Sequence, residues 1–118
     1  MGVEMRLGEL SGDFLGTRFE GRALRLELER GLSLPDSTPM RLNFSGVTIT
    51  QSCADEFLGV LVAIQGKALI DRLVFQNCSP DVRAVLELVI GSRLENHAQL
   101  ERTERIRQYM LEKRVTAG

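Results

Sequence analysis

Two hydroxyls, a thiol and two carboxylates follow one another closely near the middle of the chain. They belong to Thr50, Ser52, Cys53, Asp55 and Glu56. A hydroxyl or thiol can act as a nucleophile when a base lies beside it, but the single histidine, His97, is far away in sequence. The two adjacent carboxylates point about 100° apart on a predicted helix, so they do not form an acid–base pair. We therefore interpret this segment as a site of binding or modification and expect no catalysis.

The elements around this segment predict where it lies. Residues 41–44 have the apolar and β-prone character of a short strand, and Ser45 and Gly46 break that strand. A helix is predicted to begin with Ser52 as its N-cap, with Asp55 completing a weak capping box. Phe57, Leu58, Leu61 and Ile64 supply the apolar stripe of this helix. The turn thus follows the carboxyl end of a strand, where open α/β sheets bind ligands and partners.

The rest of the chain alternates between strand and helix patterns. A first strand is predicted over residues 3–10 and a third over residues 72–75, and a loop with two prolines covers residues 34–39. A helix is predicted from the capping box of Thr17 and Glu20 to Gly31 as its C′ residue. Its apolar positions are Phe19, Ala23, Leu24, Leu26 and Leu28, and its arginines, Arg18, Arg22, Arg25 and Arg30, are interpreted as solvent-facing. Ser79 and Pro80 start a helix over residues 80–90, and a separate amphipathic helix follows over about 92–115.

This order of elements predicts a small α/β domain. We expect a parallel or mixed sheet of about three to four strands, with helices packed on it and a C-terminal amphipathic helix. The 118 residues form one domain, with a core over about residues 3–94. So few strands leave sheet edges exposed, which favours a homodimer or a protein partner.

Composition excludes several classes of function. The net charge of −1 and the absence of a basic stripe argue against a nucleic-acid binder. No apolar run is long enough to span a bilayer and no signal peptide is recognisable, so we expect a cytoplasmic protein without membrane association. Cys53 and Cys78 are expected to be free thiols, and no zinc, P-loop or dinucleotide motif is present. We therefore expect no cofactor and no metal.

Two motifs resemble a known family. Residues 43–47, Asn-Phe-Ser-Gly-Val, and residues 52–59, Ser-Cys-Ala-Asp-Glu-Phe-Leu-Gly, are similar to the central motif of a STAS-like family of unknown function. Residues 75–79, Phe-Gln-Asn-Cys-Ser, resemble the next strand of that family and its terminal asparagine. The resemblance covers about residues 17–94 and extends distantly to STAS domains, including the bacterial anti-sigma factor antagonists.

The resemblance implies a regulatory role in bacterial signalling. In the antagonists, a serine at this helix start is phosphorylated by a histidine-kinase-like ATPase, which is also the binding partner. Aligned without a gap, that serine falls on Cys53, and Ser52 falls on its neighbour. Partner binding is therefore the leading interpretation, through Thr50, Ser52, Cys53, Asp55, Glu56 and Leu58, with Thr50 or Ser52 as the hydroxyl that could be modified.

Two alternatives belong to other classes of protein. The starts of the helices at Ser52 and Ser79 could bind a nucleotide or another anion through backbone N–H groups. A thiol redox sensor is the third interpretation, because a helix N-terminus would lower the pKa of Cys53.

Overall fold

The fold is described from a computed structural model for residues 3–33 and 39–117, with side chains to residue 112. The predicted loop over residues 34–39 lies outside the described residues except for Pro39. In chain order the strands are β1 (Glu4–Arg6), β2 (Phe14–Leu15), β3 (Met40–Asn43), β4 (Thr48–Ile49) and β5 (Leu73–Gln76). The α-helices are α1 (Leu7–Ser11), α2 (Arg18–Leu32), α3 (Gln51–Ala54), α4 (Val60–Gln65), α5 (Lys67–Ile70) and α6 (Pro80–Ala117), and a π-helical turn spans Asp55–Gly59 between α3 and α4.

The predicted parallel sheet is confirmed. Its three strands lie in the order β1-β3-β5, and both pairings are parallel. Leu42 of the central strand pairs with Met5 on one side and Phe75 on the other. A second sheet that the patterns did not predict joins β2 to β4, also in parallel. Both of its strands are two residues long, which is too short for a reliable period-2 signal.

Only one face of the three-stranded sheet contributes to the apolar core. Side chains alternate between the two faces of a strand, and in β3 Met40 and Leu42 are buried whereas Arg41 and Asn43 are partly exposed. The helices cover the apolar face with their own buried side chains, which include Leu24 and Leu28 of α2, Phe57 and Leu58 of the π-helical turn, and Val82, Leu86 and Val89 of α6. This one-sided packing explains why the strands alternate in polarity although they are parallel.

Several predicted boundaries were wrong. The first strand stops at Arg6, and residues 7–11 form a short helix. The α2 helix begins with the predicted Thr17–Glu20 capping box but continues through Gly31 to Leu32. Its residues Phe19 and Leu26, predicted to face the core, are 81% and 55% exposed. The predicted helices over 80–90 and 92–115 are one continuous helix, since Gly91 does not interrupt α6.

The second half of α6 extends beyond the domain. The helix has 38 residues, and the molecule measures 61 Å along its longest axis. Its first half packs on α4, where the ring of half-buried His97 lies against Gly66 and donates from Nδ1 to the carbonyl of Ala63 over 2.9 Å. Side chains from Ala98 to Glu112 are all exposed. Among the described residues, no helix is both long enough and apolar enough to cross a bilayer.

Candidate functional site

The predicted binding segment lies at the junction of α2, α3 and α6. Thr50, not Ser52, caps the helix: its hydroxyl accepts a hydrogen bond from the Cys53 N–H at 3.2 Å and donates to the Gly16 carbonyl at 3.0 Å. The predicted capping box of Ser52 and Asp55 was therefore wrong. Because Thr50 holds this position, Ser52 lies on the first turn of α3 with its side chain exposed.

Two of the predicted site residues are buried. Cys53 and Leu58 both have 0% exposed surface and belong to the core. Burial, with a smaller contribution from Glu20, raises the pKa of the Cys53 thiol to about 11. Burial likewise raises the pKa of Cys78. The expected lowering of the Cys53 pKa was wrong, because desolvation disfavours the thiolate, and the thiol-sensor interpretation loses its physical basis.

Asp55 and Glu56, which as partner-binding residues are expected to be exposed, are instead partly buried and paired with arginines. Arg93 of α6 donates to Asp55 from Nε and Nη2, each over 2.8 Å. Arg18 of α2 reaches the same carboxylate at 3.5 Å. The hydrogen bond from Arg93 is the main reason that the pKa of Asp55 is lowered. Asp55 thus joins α2 and α6 at the start of the π-helical turn.

Glu56 makes the corresponding contacts on the other side of the turn. Arg25 donates to its backbone carbonyl at 2.8 Å and to its carboxylate at 3.2 Å, and Arg22 lies 3.7 Å from the carboxylate. The Arg25 side chain is only 16% exposed, so the interpretation of this residue as solvent-facing was wrong. Burial of its stem between the helices brings its guanidinium to Glu56.

Two glycines allow these ion pairs to form. A Cβ at Gly59 would collide with the Asp55 carboxylate and lie 3.2 Å from Arg93 Cγ. A Cβ at Gly21 would lie 2.5 Å from the Cys53 carbonyl oxygen, so α2 and α3 approach closely only because Gly21 has no side chain. Because Gly21 and Gly59 lack side chains, α2 can approach α3 closely and the Asp55 carboxylate can lie beside Gly59.

A polar groove of about 370 Å³ lies beside these ion pairs. It is lined by Arg18, Gln51, Ser52, Asp55, Leu88, Val89, Ser92, Arg93 and Asn96. Phe19 follows Arg18 on α2, and its aromatic ring is exposed. The groove brings Ser52 together with Asp55 as expected, and it adds two arginines, a serine and an asparagine from distant parts of the chain.

Sequence reasoning missed the contributions of α2 and α6 to this site. One signal was available for α2: Arg18, Arg22 and Arg25 are spaced i, i+4 and i+7, which places them on one face of a helix. No comparable signal identified Arg93, Ser92 and Asn96, which lie among other polar residues. Their role depends on how α6 crosses the π-helical turn.

The two helix starts proposed as anion sites already use backbone donors for capping. At α3, the N–H groups of Cys53 and Ala54 bond to the hydroxyl and carbonyl of Thr50. At α6, the N–H groups of Val82 and Arg83 bond to the hydroxyl and carbonyl of Ser79. Fewer donors are left for a ligand at either start, and binding of a nucleotide or anion there remains a prediction. Within the described residues, no group of three His, Cys, Asp or Glu side chains could hold a metal ion.

Comparisons with protein-family models, with curated proteins and with solved structures return no match for this chain.

Proposed function

We propose that this chain is a non-catalytic regulatory protein of the cytoplasm that binds a protein partner through the groove beside Ser52. The observation that supports this proposal is that Ser52 is exposed while ion pairs hold the residues next to it in place. Ion pairs hold Asp55 and Glu56 in place, while Gln51, Ser52 and Arg18 on the groove remain exposed. A preorganised polar surface binds a partner at a lower entropic cost than a mobile one.

The kind of partner follows from the resemblance to STAS-like domains. The motif at residues 52–59 resembles that of a STAS-like family whose distant relatives include the anti-sigma factor antagonists, and the partner of those antagonists is a histidine-kinase-like ATPase. The start of α2, which contributes Arg18 to the groove, has features of a protein interface. Phe19 offers an 81% exposed aromatic ring, and Arg18 is a neighbouring guanidinium that is 58% exposed. Aromatic and arginine side chains are the types that contribute most to protein–protein binding.

Modification of the site is a further part of this proposal. Of the two candidate hydroxyls, Thr50 is occupied as the helix cap, so Ser52 is the one open to a kinase. A phosphate on Ser52 would enter a groove that Arg18 and Arg93 also line, and both arginines could donate to its oxygens. Asp55 already binds these arginines, so the phosphate would compete with it for them.

The test is capture of partners on the immobilised protein from a lysate of the source organism, with and without ATP, followed by mass spectrometry. We expect recovery of a protein with a histidine-kinase-like ATPase domain. Ser52→Arg and Phe19→Ala should each reduce its recovery about tenfold or more. The matched control is Gln65→Arg, which places the same side chain at an exposed helical position roughly 20 Å further along the helical run.

Three outcomes would count against the proposal. One is recovery of no such ATPase under either condition, and another is equal recovery by Ser52→Arg and Gln65→Arg. The third is unchanged recovery of the ATPase by Phe19→Ala. Phosphate found on Thr50 in the folded protein would contradict the assignment of Ser52 as the available hydroxyl.

A further inference from the structure

Strand β1 has an outer edge that no other strand of the described residues covers. It lies at the end of the order β1-β3-β5, so only its inner edge is paired. A groove of about 800 Å³ is lined by residues 3–6 on one side and by Glu27 and Arg30 of α2 on the other. An uncovered strand edge offers backbone N–H and C=O groups to which a further strand can bond.

The backbone groups on this outer edge belong to Glu4 and Arg6. The Val3 carbonyl accepts a hydrogen bond from the Arg41 N–H at 2.8 Å, so the odd-numbered residues of β1 direct their backbone groups toward β3. Because the direction alternates along a strand, Glu4 and Arg6 direct theirs toward the groove. Arg6 is also the N-cap of α1, and its carbonyl has a second lone pair for a further hydrogen bond.

The side chains of the same two residues carry opposite charges on one face of the sheet. Met5 between them is buried in the core, whereas the side chains of Glu4 and Arg6 are 21% and 61% exposed on the other face. Within one copy, Arg6 contacts Glu4 and Glu9, and Arg41 of β3 lies 4.0 Å from Glu4. A strand that places a base beside Glu4 and an acid beside Arg6 would therefore match the charges of this edge.

We propose that β1 pairs antiparallel with β1 of a second copy, about a two-fold axis at Met5. Glu4 of each copy then lies opposite the partner's Arg6, so both cross-strand pairs have opposite charges. Each pair also exchanges two backbone hydrogen bonds, because both of its residues direct their backbone groups to the outer edge. The two three-stranded sheets thereby become one sheet of six strands.

Charge selects this register among the antiparallel ones that the backbone allows. A two-fold axis at Glu4 would place the two Glu4 side chains opposite each other, and an axis at Arg6 would do the same with two arginines. Like charges directly opposite on neighbouring strands are destabilising. The axis at Met5 is the arrangement between these two, and it pairs each charge with its opposite.

Pairing of the two strands would also cover apolar side chains. Val3 and Leu10 both line the groove, and they are 41% and 50% exposed in the single copy. Because side chains alternate along β1, Val3 lies on the same face as Met5, which is the face that the helices cover. The paired strands are only three residues long, so we expect a reversible dimer whose population depends on concentration.

The test is sedimentation equilibrium of the full chain from about 10 µM to about 1 mM, at roughly 50 mM salt to limit screening. We expect a monomer–dimer equilibrium. Arg6→Glu and Glu4→Arg each place like charges opposite one another, and each should raise the dissociation constant about tenfold or more. The matched control is Arg83→Glu, because Arg83 is 76% exposed on α6 and lies outside the groove.

A mixture of the two variants separates contact between copies from a change within one copy. Arg6→Glu has two acids on β1 and Glu4→Arg has two bases, so each variant repels itself and attracts the other. We expect an equimolar mixture to form a heterodimer at concentrations where neither variant dimerises alone. Mixing cannot reverse an effect that is confined to the fold of one copy. Circular dichroism of each variant verifies that the fold is retained.

Disulfide formation tests the register. In the proposed pairing, the Cα atoms of Glu4 and the partner's Arg6 are about 5.5 Å apart, which a disulfide can span. In a Cys78→Ser background, a mixture of Glu4→Cys and Arg6→Cys should crosslink on oxidation, whereas neither variant should crosslink with itself. Ser52→Arg should dimerise like the unmodified chain, so this inference is separable from the proposed function.

The inference fails if the unmodified chain is monomeric over the whole concentration range. It also fails if Arg6→Glu dimerises as tightly as Arg83→Glu, or if the mixture of Arg6→Glu and Glu4→Arg stays monomeric. Crosslinking of Glu4→Cys or Arg6→Cys with itself, or none in their mixture, overturns the register.

Discussion

Arg93 of α6 donates two hydrogen bonds, each 2.8 Å long, to the two carboxylate oxygens of Asp55 in the π-helical turn. The two residues are 38 positions apart in the chain, and their side chains are only partly exposed. This bidentate pair connects the first half of α6 to the segment that carries Ser52. Residues in π-helical turns are often functional, and here the turn directs a carboxylate toward a neighbouring helix.

Removal of this ion pair should destabilise the fold. We expect Arg93→Ala to lower the free energy of unfolding by about 1–3 kcal/mol, because the partly buried Asp55 loses two charge-assisted hydrogen bonds. Urea unfolding measures the change. The control is Arg83→Ala on the same helix, whose ion pair with Glu87 is largely exposed and should contribute about 0–0.5 kcal/mol. Equal effects of the two substitutions would contradict a special role for the Asp55 pair.

The folded protein should lose stability in acid because the Asp55 carboxylate becomes protonated. Its hydrogen bond from Arg93 lowers the pKa below the ordinary value of 3.8, so the folded protein binds fewer protons than the unfolded chain in that range. The contribution of the pair is complete above about pH 4 and is lost as the pH falls through the folded pKa. Asp55→Asn should be less stable at pH 7 and lose less stability on acidification.

The acid experiment must compare two proteins that both lack the Glu4 carboxylate. The pKa of Glu4 is also lowered, mainly by its hydrogen bond from Arg6, so Glu4 titrates in the same region. Both proteins should therefore carry Glu4→Gln, and urea midpoints should be compared between about pH 2.5 and 7. Parallel curves for the two proteins would show that Asp55 does not contribute to the acid dependence.

Substitutions at two glycines should have opposite effects on the stability of the fold. Gly21→Ala places a Cβ against the Cys53 carbonyl and should destabilise the protein by about 1–3 kcal/mol. Gly91→Ala lies in α6 with no atom within 4 Å of the added Cβ, and it should stabilise by about 0.5–1 kcal/mol through helix propensity. Thermal unfolding measures both. A stabilising Gly21→Ala would mean that α2 and α3 are further apart than described.

The thiol of Cys53 should be unreactive in the folded protein. It is fully buried with a pKa of about 11, whereas Cys78 is only partly buried. At pH 8, a thiol reagent should label Cys78 first and Cys53 only after unfolding, because the thiolate is the reactive form. Peptide mass spectrometry distinguishes the two sites. Rapid labelling of Cys53 in the native state would restore the thiol-sensor interpretation.

Substitutions at Thr50 and Ser52 should show which of these two hydroxyls caps the helix. Thr50→Ala removes the acceptor for the Cys53 N–H and should lower the free energy of unfolding by about 0.5–2 kcal/mol. Ser52→Ala, at an exposed position on the first turn, should change it by less than about 0.5 kcal/mol. Chemical denaturation compares the two, and a larger loss in Ser52→Ala would reassign the cap to Ser52.

The sequence by itself determined the parallel α/β architecture and several helix starts. Apolar strand and helix patterns identify the three main strands, and local chemistry identifies the caps at Thr17 and Ser79, because a cap depends on residues within one turn. The cap at Thr50 was missed although it is local, since Ser52 is an equally good capping residue two positions later. Local preferences alone cannot choose between two such hydroxyls.

Only the tertiary structure decided which residues share the site and which are buried. Cys53 and Leu58 were placed on the binding surface, yet the packing of α2 against α3 at Gly21 puts them in the core. The pairing of Asp55 with Arg93 depends on where α6 crosses the π-helical turn, a contact between residues far apart in the chain. Periodicity in the sequence indicates which face of a helix or strand is apolar. Which residues that face contacts depends on how all the elements pack together.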